Sequence, residues 1–223
     1  MRNKTFISSM VGIAAAAAVA GSANAAVVPV YDFDLTFNTP NPTSNTGGSS
    51  FKTSSGSASG LWNTYLAVAS GLGSDVIASP GSMQFAVGSY VAASAGLQLE
   101  SVAGANLLGV TDFQFNVTAY TGGATNWSVY ATDINGRQLA SAITSTSGTG
   151  QKTFAVSSFT QTAGPVGIFD WSKVTMINFD AYSGGSASSF TFDSWTAVGA
   201  VPAPGALALL GAAGLVGARR RRA

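Results

Sequence analysis

The sequence predicts an all-β domain between residues 26 and 200, closed as an antiparallel β-sandwich. First, several segments alternate apolar and polar residues with the period of two that marks a half-buried strand. Second, clusters of Gly, Ser, Thr and Asn separate these segments at strand-length intervals. Third, no window before residue 200 has a sustained helical period. A chain of this length can bury a sizeable core without disulfides, and it contains no cysteine.

The first half of the domain contains four predicted strands and one predicted loop. Tyr31, Phe33, Leu35 and Phe37 alternate with polar residues and predict the first strand. Residues 38–60 are rich in Ser, Thr, Gly and Asn and predict a long, flexible polar loop. Residues 61–68 fit either a short strand or a helical turn. Further strands are predicted at residues 83–87, at residues 97–101 with Gln98 and Glu100 outward, and at residues 113–119 with Ala119 inward.

The second half begins with a predicted β-hairpin. Residues 127–134 and 137–143 flank Asn135-Gly136, a pair that favours a tight hairpin because both residues tolerate positive φ. Residues 153–159 predict a strand with Phe154 and Val156 inward. Residues 171–182 form an apolar run typical of a strand that is covered on both faces. In the last segment, 190–198, the apolar residues change face near Ser194, which predicts a bulge or two-sided burial.

Residues 1–25 have the pattern of a secretory signal peptide. Arg2 and Lys4 form a basic start, residues 11–20 are apolar, and Ala23-Asn24-Ala25 is a small-residue cleavage site. We expect cleavage after Ala25 and export of the chain.

Residues 201–223 form three distinct blocks at the C-terminus. These are Val201-Pro202-Ala203-Pro204, the apolar run 205–218, and the cluster Arg219, Arg220, Arg221 and Arg222. The arrangement resembles the PEP-CTERM sorting tail, in which Val-Pro-Glu-Pro precedes a short hydrophobic helix and an Arg cluster; Ala203 stands where that family has Glu. The resemblance implies transient membrane contact by the tail, removal by an exosortase-type membrane protease after passage through the export machinery, and a final location at the cell surface or outside the cell.

The order of elements from residue 113 to 198 carries a second resemblance. An Asn-Gly hairpin, an apolar run and a terminal Phe190-Thr191-Phe192-Asp193 strand look like the galactose-binding-type jelly roll of exported carbohydrate-binding modules. This resemblance implies a carbohydrate-binding domain.

The charge of the domain argues against nucleic acid as a partner. Without residues 1–25 and 201–223 the chain retains four basic and nine acidic residues, which gives a net charge of about −5. No cluster of Lys or Arg remains to neutralise phosphates.

The residue types also limit catalysis and metal binding. The chain has no His or Cys, so the common zinc ligands and nucleophile–base pairs are absent, and its one Glu is Glu100. We therefore expect a protein that is not an enzyme and that has no cofactor. Calcium prefers carboxylate oxygens, and Asp32 or Asp34 could hold it together with Asp193 if the first and last strands are neighbours.

Binding requires fewer special residues than catalysis. Sugar rings stack on aromatic side chains while amides or carboxylates fix their hydroxyls. Trp62, beside a polar loop, and Trp171, after a Gly/Pro turn, are the candidate stacking residues. The resemblance to PEP-CTERM proteins, through their link with exopolysaccharide-producing bacteria, implies an exported structural or polysaccharide-associated protein. The alternatives are a secreted glycoside or other polymer hydrolase and a self-associating adhesin or scaffold.

Overall fold

The protein forms an all-β sandwich, as the sequence predicts. The computed structural model describes residues 26–31, 33, 36–39, 49–58 and 61–199, with the backbone alone for residues 26 and 49–58. Within these residues there are fifteen strands and one turn of 3-10 helix, at Val156–Ser158. The strands are β1 (Ala26–Tyr31), β2 (Phe37–Asn38), β3 (Ser49–Ala58), β4 (Trp62–Ser70), β5 (Asp75–Ser79), β6 (Ser82–Val87), β7 (Ser94–Ala105), β8 (Val110–Gly122), β9 (Thr125–Asp133), β10 (Gln138–Ala140), β11 (Thr144–Thr146), β12 (Gly150–Ala155), β13 (Thr160–Ala163), β14 (Val174–Ser183) and β15 (Ser188–Gly199).

The strands form two sheets with antiparallel pairing throughout the described residues. The seven-stranded sheet has the order β12-β8-β15-β6-β5-β2, and β1 pairs with β15. The eight-stranded sheet has the order β13-β10-β9-β14-β7-β4-β3, and β11 pairs with β9. Many neighbours, such as β8 and β15 or β7 and β14, are distant along the chain, so the register of these non-local pairs decides which side chains meet.

The core between the two sheets is dominated by aromatic rings. Phe179 of β14 lies 5.2 Å from Phe85, 4.9 Å from Phe115 and 5.0 Å from Phe192, measured between ring centroids. These three partners belong to the seven-stranded sheet, so one ring of the eight-stranded sheet contacts three of its strands. Buried aromatic rings of this kind contribute both apolar area and specific edge-to-face contacts.

The alternating strands are confirmed where the alternation is clear. In β7, Leu97 and Leu99 are buried while Gln98 and Glu100 point outward. In β8, Phe113, Phe115 and Val117 are buried, but Ala119 is exposed, which corrects its predicted inward position. The register of β8 with β15 shifts between Thr191 and Phe192, and this irregularity moves the end of β8 to the other face.

The predicted irregularity near Ser194 is present in β15. The pairing of β15 with β8 shifts between Phe192 and Ser194. As a result the same core contains the apolar residues on both sides of the shift: Phe190 and Phe192 before it, and Trp195 and Ala197 after it. The extra residue of a β-bulge restores the inward direction of the second pair.

The predicted hairpin joins β9 to β10. The Asp133 N–H donates to the Arg137 carbonyl at 2.9 Å, and the Gly136 N–H donates to the Asp133 carbonyl at 2.9 Å. Gly136 has φ +76°, whereas Asn135 lies outside the left-handed region. The loop is therefore a longer turn with one left-handed glycine, rather than a two-residue turn that uses both residues.

Several predicted elements differ from the structure. The strand predicted across residues 31–37 is divided, because β1 ends at Tyr31 and Phe33 has φ +53°; the side chains of Tyr31, Phe33 and Phe37 are nevertheless buried. The polar loop predicted for residues 38–60 contains β3, which pairs with β4 along its length. Residues 61–68 fit either a strand or a helical turn by sequence, and all of them except Leu61 lie in β4. The strand predicted for 153–159 ends at Ala155, where the 3-10 turn begins.

Candidate functional site on the outer face of the eight-stranded sheet

The outer face of the eight-stranded sheet points away from the core and brings polar and aromatic residues together. In β14, Asn178 lies between Gln98 of β7 and Tyr130 of β9. Two residues further on, Asp180 lies between Gly96 and Ser128, and Tyr182 follows between Ser94 and Asn126. Their side chains are half-buried, so the prediction that β14 is fully covered on both faces is wrong for this face.

Tyr130, Asp180 and Tyr182 form what we call the outer cluster. The Tyr182 hydroxyl donates to Asp180 Oδ2 at 3.2 Å and is also hydrogen-bonded with Tyr130. Burial raises the pKa of Asp180, although the hydrogen bond from Tyr182 acts in the opposite direction. Burial, the Tyr130 hydrogen bond and the charge of Asp180 all raise the pKa of Tyr182. Tyr182 is therefore a neutral phenol that can donate and accept hydrogen bonds.

Gly96 provides the space for the Asp180 carboxylate. A Cβ at Gly96 would lie 2.2 Å from Asp180 Oδ1 and 2.9 Å from the Phe179 carbonyl oxygen. The carboxylate thus lies over the neighbouring strand in the space that any other side chain would fill. The glycine is required here by the close approach of the carboxylate.

A polar row runs across three strands beside the outer cluster. Thr64 Oγ1 donates to Glu100 Oε2 at 3.2 Å, Gln98 Nε2 donates to Glu100 Oε1, and Asn178 Nδ2 donates to Gln98 Oε1 at 3.3 Å. Together these four residues, which we call the polar row, give the face a line of amide and carboxylate groups. Such groups are suited to hydrogen bonds with hydroxyl-rich ligands.

Three buried polar atoms on the same face have no hydrogen-bond partner among the described residues. They are Ser128 Oγ, Thr132 Oγ1 and Asn178 Oδ1. A buried polar atom without a partner costs about 1–3 kcal/mol. Each of these three atoms is therefore an unsatisfied group within the described part of the sheet, and its burial keeps it from direct contact with a ligand.

The charged groups of the outer cluster and the polar row are acidic. Glu100 and Asp180 lie on it, whereas Arg137 is paired with Asp133 at 3.2 Å in the β9–β10 turn. Lys152 Nζ donates to the Ser147 carbonyl at the edge of the other sheet. No described side chain of the outer cluster or polar row is cationic. Hence the outer cluster and the polar row contain no cationic group of the kind that binds carboxylate or sulfate polymers.

The predicted stacking residues lie elsewhere. Trp62 is 1% exposed, and its Nε1 donates to the Val30 carbonyl at 2.6 Å, so its predicted exposure is wrong. Trp62 starts β4 on the inward side, where its indole is part of the core. Trp171 is half-buried and packs against Phe169, with 4.6 Å between ring centroids, at one end of the sandwich. Neither indole belongs to the outer face.

The predicted calcium ligands are only partly described. Asp193 is exposed on β15 and accepts a hydrogen bond from Asn116 Nδ2 at 2.8 Å. Asp32 and Asp34 lie outside the described residues. β1, which is paired with β15, ends at Tyr31 before both of these acids, and calcium binding there stays a prediction. Among the described residues no three acidic side chains form a cluster that could hold a metal ion.

The predicted processing signals also lie outside the described residues. This applies to the signal-peptide positions Ala23 and Ala25 and to the tail from Val201 to Arg222. In the part of the chain that is described, no helix has the length and apolar character needed to cross a membrane.

Comparisons with known proteins give similarities of fold. No family model matches the chain, and no curated protein matches it. A family 11 carbohydrate-binding module from a cellulosomal cellulase of Clostridium thermocellum is similar at 14% identity and a TM-score of 0.44, over 80% of this chain and 98% of the module. The same family of module from this organism, in complex with a β-1,3-1,4-mixed-linked tetrasaccharide, matches at 14% identity and a TM-score of 0.43, over 81% and 99%. An agarase matches at 12% identity and a TM-score of 0.45, over 79% of this chain and 25% of the agarase. At these TM-scores the similarities do not bear on ligand or activity.

Proposed function

We propose that this is an exported polysaccharide-binding protein that binds its ligand on the outer face of the eight-stranded sheet. The observation that carries the proposal is the outer cluster beside the polar row. Tyr130 and Tyr182 supply aromatic surface and neutral hydroxyls, and the polar row supplies amide and carboxylate groups across three strands. In this proposal the sandwich is a jelly roll of the galactose-binding type.

The chemistry of the face favours a neutral sugar polymer. Sugar recognition needs an aromatic surface for the apolar side of the ring and fixed polar groups for its hydroxyls. Both are present in the outer cluster and the polar row. An anionic polymer would instead meet Glu100 and Asp180 without a compensating cation.

Binding without hydrolysis is the activity that this geometry supports. Glu100 is opposite Met176, four residues before Asp180 on the next strand. Both carboxylates are engaged within the chain, Glu100 with Thr64 and Gln98 and Asp180 with Tyr182. We therefore propose a module without catalytic activity.

We propose the localisation of the protein from its N-terminal and C-terminal segments. The signal peptide 1–25 would direct the chain to the export machinery, and the tail 201–223 would place it at the membrane for an exosortase-type protease. The product would then reside at the cell surface or in the extracellular matrix, where polysaccharide is available.

The proposed function is tested by binding to neutral and anionic polysaccharides. We expect calorimetry to detect binding of a neutral glucan or galactan. Tyr182→Ala or Tyr130→Ala should weaken that binding about tenfold or more, because loss of a stacking ring costs about 1–3 kcal/mol, a range measured for nucleic-acid bases. Tyr90→Ala is the matched control, since Tyr90 is an exposed tyrosine in the β6–β7 loop, away from this face. Equal affinity of all three variants, or no binding to any neutral polysaccharide, would contradict the proposal.

A further inference from the structure

One end of the sandwich carries both ends of the described fold, and we call it the exit end. Ala26 of β1 pairs with Gly199 of β15, and Gly199 pairs with Val110 of β8. The loop before β8 reaches the other sheet, because the Leu107 N–H donates to the Trp171 carbonyl at 2.8 Å. The β9–β10 turn joins the same end, where the Ile134 N–H donates to the Lys173 carbonyl at 3.0 Å.

Large apolar side chains are exposed at the exit end. Val166 is 97% exposed and Ile168 is 92% exposed, both in the loop between β13 and β14. Ile134 and Leu108, in the neighbouring loops, are also exposed. Isolated exposed apolar residues are common, but a group on adjoining loops indicates an interaction surface.

The loop that presents Val166 and Ile168 is firmly attached to the fold. Phe169 is buried and packs on Trp171, and the Asp170 N–H donates to Asp133 Oδ2 at 3.0 Å. On the other side, Gln161 Nε2 donates to the Pro165 carbonyl at 2.9 Å. The backbone therefore holds the two apolar side chains outward, although an aromatic core lies directly beneath them.

The charged groups named around these apolar residues are formally balanced, two acids and two bases, and Lys173 is the exposed one. Lys173 is exposed at the base of the loop. The Asp133 carboxylate is buried and accepts a hydrogen bond from Arg137 Nη1 at 3.2 Å. Asp170 Oδ1 accepts hydrogen bonds from the Ser172 N–H at 3.0 Å and the Ser172 hydroxyl at 2.5 Å. The acids at this end thus have internal partners, while the Lys173 ammonium is turned to solvent.

We infer that the exit end docks on the surface of an anionic lipid bilayer. The apolar segments 11–20 and 205–218 join the fold here, before Ala26 and after Gly199. Five residues, 200–204, separate Gly199 from the start of the second segment, and the six steps between them reach about 20 Å when fully extended. With that segment in a bilayer, the exit end lies against the membrane. Val166 and Ile168 then enter the boundary between headgroups and acyl chains, and Lys173 meets lipid phosphate.

The inference and the proposed function both place the C-terminal segment at the membrane, but the inference concerns a different surface of the sandwich. The outer cluster lies on a sheet face, whereas Val166 and Ile168 lie at the end of the sandwich. Docking through the exit end would leave the outer face of the eight-stranded sheet open to polysaccharide.

The absence of cysteine permits a direct test with single labels in the full chain. Val166→Cys is labelled with an environment-sensitive fluorophore, and Val91→Cys is the matched control. Val91 is 86% exposed and lies at the opposite end of the sandwich, near Ala93, whose carbonyl accepts a hydrogen bond from the Ser183 N–H at the end of β14. The full chain is reconstituted with vesicles of phosphatidylethanolamine and phosphatidylglycerol. We expect a blue shift and severalfold quenching by spin-labelled lipid at position 166 and neither effect at position 91.

A second variant separates docking of the sandwich from attachment by the tail. With the label at Leu108→Cys, the double change Val166→Asp and Ile168→Asp should abolish quenching while the chain still floats with vesicles, and Val91→Asp should leave quenching unchanged. Flotation without quenching at position 166 in the otherwise unaltered chain would overturn the docking and leave polysaccharide binding intact. Equal quenching at both ends, or a blue shift that depends on protein concentration without lipid, would overturn it in favour of non-specific contact or self-association.

Discussion

Replacing Asp133 by Asn should destabilise the fold substantially. The Asp133 carboxylate is fully buried and joins two loops of the exit end. Its Oδ1 accepts from the Asn135 N–H at 2.8 Å and the Arg137 N–H at 2.9 Å. Its Oδ2 accepts from the Asp170 N–H at 3.0 Å and from Arg137 Nη1 at 3.2 Å. An Asn side chain keeps one oxygen acceptor and turns an NH₂ donor toward the donors on the other side.

The magnitude follows from the bonds that are lost. If Asn keeps its oxygen toward Asn135 and Arg137, the Asp170 N–H loses its acceptor, which costs about 1–3 kcal/mol for a buried group. The Arg137 contact is partly exposed and contributes about 1 kcal/mol or less. We therefore expect a loss of about 2–4 kcal/mol, and with about 2–4 °C per kcal/mol for a domain of this size, a decrease in Tm of about 4–16 °C.

The assay is urea unfolding followed by tryptophan fluorescence, repeated across acidic pH. Burial acts to raise the pKa of Asp133, but hydrogen bonds from Asp170, Arg137 and Asn135 outweigh it, so the pKa lies below the ordinary 3.8. The stabilisation by Asp133 is then complete above that ordinary value and is lost as the pH falls through the lowered pKa. The difference between wild type and Asp133→Asn should shrink in that window. Asp193→Asn, an exposed acid, is the control; a loss below about 1 kcal/mol for Asp133→Asn would refute the reasoning.

Three further changes have expected outcomes. Asp180→Asn should raise Tm at neutral pH, because burial raises the pKa of Asp180 above 3.8 and its ionised form therefore opposes folding. The gain in Tm should vanish at pH values below the ordinary pKa of an aspartate. A lower Tm for Asp180→Asn at neutral pH would contradict this. Phe85→Ala removes a buried ring that lies 5.2 Å from Phe179 and should cost about 3–5 kcal/mol in urea unfolding, whereas a cost below about 1 kcal/mol would show that this ring is not part of a tight core. Gly122→Ala should destabilise strongly, because its φ is +91° and a Cβ would lie 2.1 Å from the Ala187 carbonyl oxygen; Gly81→Ala, at φ +78° with nothing within 4 Å, should cost only about 1 kcal/mol, and equal costs would exclude steric contact as the cause.

The strands that the sequence identifies well are those with one apolar and one polar face. Leu97 and Leu99 alternate with Gln98 and Glu100, and burial in the structure follows the same period. The Asn135-Gly136 pair marks a local turn, so its position needs no long-range information. Local patterns of this kind depend only on neighbours in sequence.

Elements without a clear apolar face were not predictable in this way. β3 has the sequence SSFKTSSGSA, and its backbone pairs with β4 at the edge of the eight-stranded sheet. A strand of Ser and Thr has the composition of a loop, and only the available edge of β4 makes it a strand. Trp62 was misplaced for a related reason, since the inward residues that follow it in β4 include the small Ala67 and Ala69, which weaken the alternation.

The candidate site depends on register, which the sequence does not state. Tyr130 and Tyr182 are 52 positions apart in the printed sequence and become neighbours because β14 pairs with β9. Each looks like an ordinary outward residue of its own strand. The feature that distinguishes Asp180 is Gly96 on the adjacent strand, where the missing side chain makes space for the carboxylate. Two outward tyrosines on strongly apolar strands were the available clue.

The position of β15 within its sheet determines how the fold transmits mechanical force. β15 pairs with β8 on one side and with β6 and β1 on the other. Tension applied at Gly199 along the strand loads these ladders in shear, so many hydrogen bonds must slide together before any opens. Tension between Ala26 and Gly199 instead peels β1 away one pair at a time. A molecule held by its C-terminal end would therefore resist drag better than one stretched between its two ends.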